Sequence, residues 1–373
     1  MRLKRASFFK GIFMIVMVVI LGVVAFLQHP LFGQVPKGER LEEIKHSAHF
    51  SNGVFQNQIP SPMRTQDQSE LSLWMENLFG KKGQVRPPQA VPSIKTDLKA
   101  LDVNVDTAVW MGHSSWYLQL AGKRILVDPV FSTHAAPVPF VVKAFEGSNL
   151  YSAEDMPPID VMLISHDHYD HLDYATAKAL KDKVAQVITG LGVGAHLQRW
   201  GYDMDKVHEQ DWYNEVELGN GLKLVAAPAR HFSGRTLKRN QSLWLGFALL
   251  SPGRRVFLSG DSGYGPHFAE FGEKYGPFDW ISLDTGQYDV RWANVHMNPE
   301  QAAQAASDLR TQYFTPGHIG RFSISRHDWD DPFKRISQAS VNRDYVLITP
   351  LIGQAMVLDK PEESSSAWWE ALH

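Results

Sequence analysis

Cysteine is absent from all 373 residues, which excludes disulfides, lipoprotein acylation and thiolate metal sites. Any metal in this chain must be held by His, Asp or Glu, a donor set suited to hydrolytic zinc or a similar divalent ion. A basic surplus is also lacking. The 37 Lys and Arg stand against 40 Asp and Glu, a formal net charge of -3, so nothing marks a partner with a phosphate backbone and no nucleic-acid partner is expected. Internal repeats are missing too. Disorder is excluded by a 44% hydrophobic content, which at this length supports a large core in one or two domains.

Long apolar runs are confined to the N-terminus. "MRLKRASFFK" carries Arg2, Lys4, Arg5 and Lys10, and the run from Gly11 to Leu27, 17 residues, follows without interruption. That pattern is a targeting or anchoring segment, at the short end of a membrane span and longer than most cleavable signal cores. An uncleaved anchor over residues 1–30 is the favoured reading; cleavage after "VVA", ending at Ala25, stays open. The positive charges before the run keep the N-terminus inside. In a bacterial cell the remainder then lies on the periplasmic face of the inner membrane, or free in the periplasm if the segment is cleaved. Residues 31–100, rich in Pro, Gln, Ser and Lys, read as a tether with a short helix at "SELSLWMENLFG". Residues 101–360 read as the catalytic domain and 361–373 as a tail.

Within the domain the same grammar recurs: an apolar strand, then a titratable residue at its end. "TAVWMGHSSWYLQLAGKRILVDPVF" reads as two strands around an Ala-Gly-Lys turn. "IDVMLIS" runs as a buried strand into "HDHYDHLD", and "DYATAKALKDKVAQ" behind it is helical. Strands are expected to end at His231, Asp261 and His318. "NPEQAAQAASDLR" opens with Asn298 as cap, Pro299 in the first turn and Gln301 three residues after the cap, a helix start. Strand clusters separated by few helices argue for two sheets covered by helices.

The H-x-H-x-D-H loop carries the chemistry. Alternation sends His166 and His168 one way, while Asp170 and His171 turn to a neighbouring point. The loop offers too few ligands for two four-coordinate ions, and the strand-end residues supply the rest. His166, His168 and His231 are assigned to one ion, Asp170, His171 and His318 to the other, with Asp261 bridging. Two ions about 3.5–4 Å apart can share a water and lower its pKa towards about 7. A lone histidine in a strand is usually structural, but a buried cluster of this kind costs several kcal/mol without a cation. His113 and Asp128 are weaker candidates, orienting ligands or merely packing. His29, His46, His49, His134, His196, His208, His267, His327 and His373 read as solvent or packing residues.

"SHDHYDHLD" resembles the signature of the metallo-β-lactamase superfamily. "LVDPVFS", "ARHFSGRTL", "FLSGDSGYGPHFAEFGEKYGPFDW", "GQYDVRW", "HMNPEQA" and "GHIGRF" are similar to one branch of it, the N-acylphosphatidylethanolamine-hydrolysing phospholipase D family, over about residues 100 to 356. The resemblance implies an α/β fold, the αβ/βα sandwich, with two zinc ions per chain at one edge. Its metal positions match the seven ligands above, and His296 matches a histidine lining the family's active site. It implies a phosphodiesterase acting on a phospholipid or small phosphodiester. Asp284 and Arg321 depart from the family pattern and are expected to reshape the pocket. Asp261, His296 and Asp284 are the candidate catalytic residues, His296 for the phosphate or leaving group and Asp284 for proton transfer. Two other readings stay open: a lactonase or sugar-phosphate hydrolase of the same fold, and a non-catalytic, membrane-anchored zinc-binding envelope protein. The apolar loop from His134 to Phe145 is expected either to pack on the core or to dip Phe140 and Phe145 into a lipid surface.

Overall fold

The computed structural model describes residues 2–62, 69, 75 and 83–372. The helix expected at "SELSLWMENLFG" lies outside the described residues apart from Ser69 and Met75, as does His373. In chain order the elements are α1 (Arg2–Leu27), α2 (Glu39–Ile44), a short hairpin β1 (Phe50–Ser51) and β2 (Val54–Phe55), then β3 (Thr107–Trp110), β4 (Trp116–Leu120), β5 (Lys123–Val127), β6 (Ile159–Ile164), α3 (Tyr174–Leu180), β7 (Val184–Gly190), α4 (Gly194–Arg199) and β8 (Val207–Gln210). The second half continues with β9 (Glu215–Gly219), β10 (Leu222–Ala227), β11 (Gly246–Leu250), β12 (Arg255–Leu258), α5 (His267–Tyr275), β13 (Trp280–Asp284), α6 (Pro299–Asp308), β14 (Tyr313–Gly317), α7 (Asp331–Ala339), β15 (Val346–Leu347) and β16 (Ala355–Val357).

Two seven-stranded sheets result, in the orders β16-β3-β4-β5-β6-β7-β8 and β15-β14-β13-β12-β11-β10-β9. Both are mixed: β5 to β8 and β12 to β15 run parallel, and the remaining pairs are antiparallel. Period-two alternation explains the layers. In β6, Val161 and Leu163 enter the core between the sheets, while Met162 and Ile164 pack outward with Ala177 and Leu180 of α3 and Leu197 of α4. In β10, Leu222, Leu224 and Ala226 face that same inner core, while Val225 and Ala227 pack outward with α5 and α6. Trp116 of β4 meets Trp280 of β13 across the sandwich, ring centroids 4.9 Å apart. This is the two-sheet architecture expected, with helices on both outer faces.

Several expectations change in detail. The stretch read as two strands is three, because Gly112 and His113, both at positive φ, turn the chain between β3 and β4. The expected helix after the metal loop stops at Leu180, and "VAQVITG" is strand β7. Asn298 caps α6 and forms a capping box with Gln301, as anticipated. The segment read as a tail packs inward: Trp368, Trp369 and Leu372 are buried, with Trp369 stacked on Phe333 of α7. The tether also docks, through Ile44, Phe55 and Val91 in the inner core.

The N-terminal anchor is not supported as a membrane span. Among the described residues, no helix is long and apolar enough to cross a membrane. The apolar part of α1, residues 11–27, rises about 26 Å at 1.5 Å per residue, short of a hydrocarbon core of about 30 Å. Its side chains are exposed, and Phe26 packs edge-on against Phe32 just beyond the helix.

Candidate metal centre

The donors converge where strands of both sheets end. β6 of the first sheet delivers the loop from Ser165 to Asp173, and β10, β12, β13 and β14 of the second deliver His231, Asp261, Asp284 and His318. His231 lies four residues beyond β10 and Asp261 three beyond β12, so loops rather than strand termini place them.

Three donor groups share this edge, the third formed by Asp261, Asp284, His296 and His318 and overlapping the other two. In the first, His166 Nε2 and His231 Nε2 lie 2.9 and 3.2 Å from His168 Nδ1, and each lies 3.7 Å from Asp261 Oδ2. In the second, Asp170 Oδ2 is 2.8 Å from His113 Nε2, 3.1 Å from His318 Nε2 and 3.5 Å from His171 Nε2. Asp261 reaches both, because its Oδ2 is also 3.1 Å from His171 Nε2 and 3.3 Å from His318 Nε2. The structure thus gathers all seven expected ligands in the two expected groups and adds His113 to the second. His113 lies three residues beyond β3, at a turn hidden inside what reads as a single strand, so the sequence marks it only as a weaker candidate.

The far nitrogens of three ligand rings are held. His231 Nδ1 donates to the Val295 carbonyl at 2.9 Å, His171 Nδ1 to Asp128 at 2.8 Å, and His166 Nδ1 lies 2.9 Å from Ser165 Oγ. Asp128 also accepts from the Ser165 backbone and hydroxyl, so it organises the start of the loop as well as His171. Such partners fix which nitrogen is free for a metal.

Charge follows burial and crowding. Burial first, and then the neighbouring imidazoles of His171 and His168, hold His166 well below the ordinary histidine range; burial does the same to His231. Burial followed by the neighbouring His318 lowers His113 to about 3. His171 and His318 go the other way. Burial lowers them, but the carboxylates of Asp261 and its neighbours outweigh it, raising His171 well above its ordinary value and His318 to about 10. Asp170 and Asp261 are raised by burial and lowered further by the imidazoles, ending well below the carboxylate range.

The residues fit divalent metal. His171 Nε2 and Asp261 Oδ1 are buried without a hydrogen-bond partner, and both residues belong to the donor clusters. Unpaired buried polar atoms are costly unless something charged or polar answers them, and the donor set is wholly imidazole and carboxylate.

Asp284 and His296 adjoin the second cluster. Asp284 Oδ2 accepts from His296 Nδ1 at 2.8 Å and from the Ser262 amide at 3.2 Å, while its Oδ1 lies 3.3 Å from His318 Nδ1. The His296 ring stacks on His318 with centroids 5.0 Å apart. Arg321 lies beneath the loops of the donor edge. It is buried and donates to the carbonyls of Met111 and Ser132 and to Asn149, tying loops together beneath the surface. His196, expected to be a packing or solvent residue, is buried in a polar network with Asp167 and Gln34.

The β-lactamase superfamily domain pattern matches residues 123–319, over half of the chain and including both donor clusters except His113. The chain belongs to the metallo-β-lactamase superfamily. An uncharacterized protein of Mycobacterium tuberculosis is 35% identical over 329 residues, covering 87% of this chain and 88% of that one. N-acyl-phosphatidylethanolamine-hydrolyzing phospholipase D 1 of Caenorhabditis elegans is 30% identical over 239 residues, 60% of this chain and 66% of that enzyme's length. Igni18, a metallo hydrolase of the archaeon Ignicoccus hospitalis, shares the fold with a TM-score of 0.53 at 20% identity, over 68% of this chain and 97% of that one. This superfamily member is a metal-dependent hydrolase carrying candidate His/Asp metal clusters.

Proposed function

We propose that this metal-dependent hydrolase cleaves a phosphodiester of a membrane phospholipid, using two zinc ions per chain. The observation that carries the lipid reading is the rim of the donor edge. Phe140, Val141, Leu237, Val290 and Ile324 are exposed large apolar side chains, and their four loops follow β5, β10, β13 and β14. Those same loops hold Asp128, His231, His296 and His318. Basic Arg86, Lys143, Lys238, Arg239 and Arg326 stand among them. Between the loops runs a groove of about 910 Å³, lined by Phe140, Lys143, Trp292, Ile324 and Arg326 among others. Apolar side chains interleaved with cations suit an anionic lipid surface. The relative named for phospholipase D activity supports the same substrate class.

The two phenylalanines of the loop divide between the two expected alternatives, core and surface. Phe145 is 3% exposed and belongs to the inner core, so only Phe140, at 73%, is free to meet lipid.

His166, His168, His231 and Asp261 would hold one ion, and Asp170, His171, His318 and Asp261 the other, with His113 beside the second. Bound zinc supplies Lewis acidity and a water of lowered pKa. The chain's own contribution is the Asp284–His296 pair. Asp284, buried and acceptor-only when ionised, keeps a proton on His296 Nδ1 and leaves Nε2 for the substrate. In this reading His296 Nε2 takes the proton given up by the attacking water and passes it to the leaving alcoholate, which returns the ring to its starting state.

The domain is read as lying on the periplasmic side of a bacterial inner membrane, with the exposed apolar helix α1 resting against the bilayer rather than spanning it. The test is metal analysis of the purified chain coupled to a panel of vesicle phospholipids, short-chain phosphodiesters and lactones. Two zinc per chain and preferential hydrolysis of vesicle phospholipid are expected. Lactone hydrolysis without phosphodiester hydrolysis overturns the substrate.

A further inference from the structure

We infer that Arg235 is a positioning residue that ties the N-terminal strap, residues 28–36, to both ends of the metal loop, making the strap part of the metal site's scaffold. The inference rests on the reading that the donor clusters hold zinc. Arg235 is 5% exposed. Its Nη1 donates to the Asp167 carbonyl at 2.8 Å and the Leu172 carbonyl at 2.6 Å, which bracket His168, Asp170 and His171. Its Nε and Nη2 donate to the Leu31 carbonyl of the strap at 3.1 and 2.8 Å. The guanidinium lies 4.1 Å from the centroid of the Tyr169 ring, and Tyr169 Oη donates back to the Arg235 carbonyl at 2.6 Å. One planar fork therefore holds three carbonyls from two distant segments, a task a lysine ammonium cannot reproduce.

The strap is gripped along its length. Trp200 Nε1 donates to the Pro30 carbonyl at 2.7 Å, and Arg199 donates to the carbonyls of Gln28 and Gly33, each at 2.6 Å. The Gln34 amide donates to His196 Nδ1 at 3.0 Å, and His196 Nε2 donates to Asp167 at 3.2 Å. Asp167 also accepts from the Gly234 amide at 2.7 Å and from Ser242 at 3.1 Å. A second line, strap to His196 to Asp167, thus reaches the loop between His166 and His168. Gly33 makes the close approach possible: it sits at φ +65, and a Cβ there would lie 1.9 Å from His196 Nδ1. Because α1 ends at Leu27, the strap joins the apolar helix directly to the catalytic loop.

The test uses the full chain and zinc itself, with affinity from chelator competition and the rise in Tm on adding zinc to metal-free protein. Arg235→Gln is expected to weaken zinc affinity at least tenfold while keeping the native circular dichroism, and Arg235→Lys to recover part of the loss. Gly33→Val touches no loop residue, yet is expected to shift affinity in the same direction. The double variant should lose little more than the stronger single one, since both act on one latch. A merely structural role would lower Tm equally with and without zinc and leave affinity unchanged; that result in folded variants overturns the inference. Should Arg235→Gln fail to fold, Gly33→Val and Trp200→Phe decide by the same two readouts. A wild-type chain that takes up no zinc overturns the metal reading itself, and the inference with it.

Discussion

Two phenylalanines five residues apart on one loop should respond to truncation in opposite ways. Phe145 is buried in the inner core, with the Arg86 guanidinium 5.1 Å above its ring. Phe145→Ala removes a packed ring and leaves a cavity, which costs about 3–5 kcal/mol. With an unfolding entropy of about 2.1 cal/mol/K per residue, a domain of this size should lose about 5–8 °C in Tm. Phe140 is 73% exposed, so Phe140→Ala should leave Tm unchanged in solution. Its cost appears only at a lipid surface, where an inserted Phe contributes about 1.5–3 kcal/mol, or about tenfold to a hundredfold. The assay pairs thermal unfolding with a ratio: hydrolysis of vesicle phospholipid divided by hydrolysis of a soluble short-chain phosphodiester. Phe140→Ala should lower the ratio and Phe145→Ala should not. Equal losses on both substrates for Phe140→Ala, or a Tm drop like that of Phe145→Ala, would refute the reasoning.

Asp261→Asn is expected to reduce zinc content and turnover by orders of magnitude with the fold retained, as read by metal analysis and circular dichroism, since it removes charge from both clusters at once. Asp284→Asn should retain zinc but lower kcat more on substrates with poorly acidic leaving alcohols than on activated aryl esters; equal losses on both would remove the pair from proton transfer. A reporter active only in the cytoplasm, fused after residue 40, should be silent, and its activity would refute the periplasmic location.

How much was legible depended on the sequence distance between partners. The metal loop could be read because four donors sit within six positions, where spacing alone forces them together. His231, Asp261 and His318 could be read because each follows an apolar strand, and strands of a sandwich end together at one edge. The Arg235 latch could not. Its partners at Leu31 and Leu172 lie 204 and 63 residues away, and they are backbone carbonyls, which carry no residue-type signal. Phe145 stayed undecided between core and surface for a similar reason. A loop has no period to say which way a ring points, and the cover over Phe145 comes from Arg86, far upstream in the segment read as a tether. The extra strand β3 was hidden because Gly112 and His113 turn the chain without an obvious turn sequence.

The two donor clusters draw on both sheets, and this sets the order of events as the chain folds. His113, Asp128 and the loop from His166 to His171 belong to the first sheet's half of the sequence, while His231, Asp261 and His318 arrive with the second. Neither half alone completes either cluster. The full donor set of either cluster therefore exists only once the second sheet has docked. Affinities of such nitrogen and oxygen sites follow the general order of the divalent ions rather than biological need. A chain that is complete as a donor set only when its two halves close would take its ion from the metals present where that closure happens.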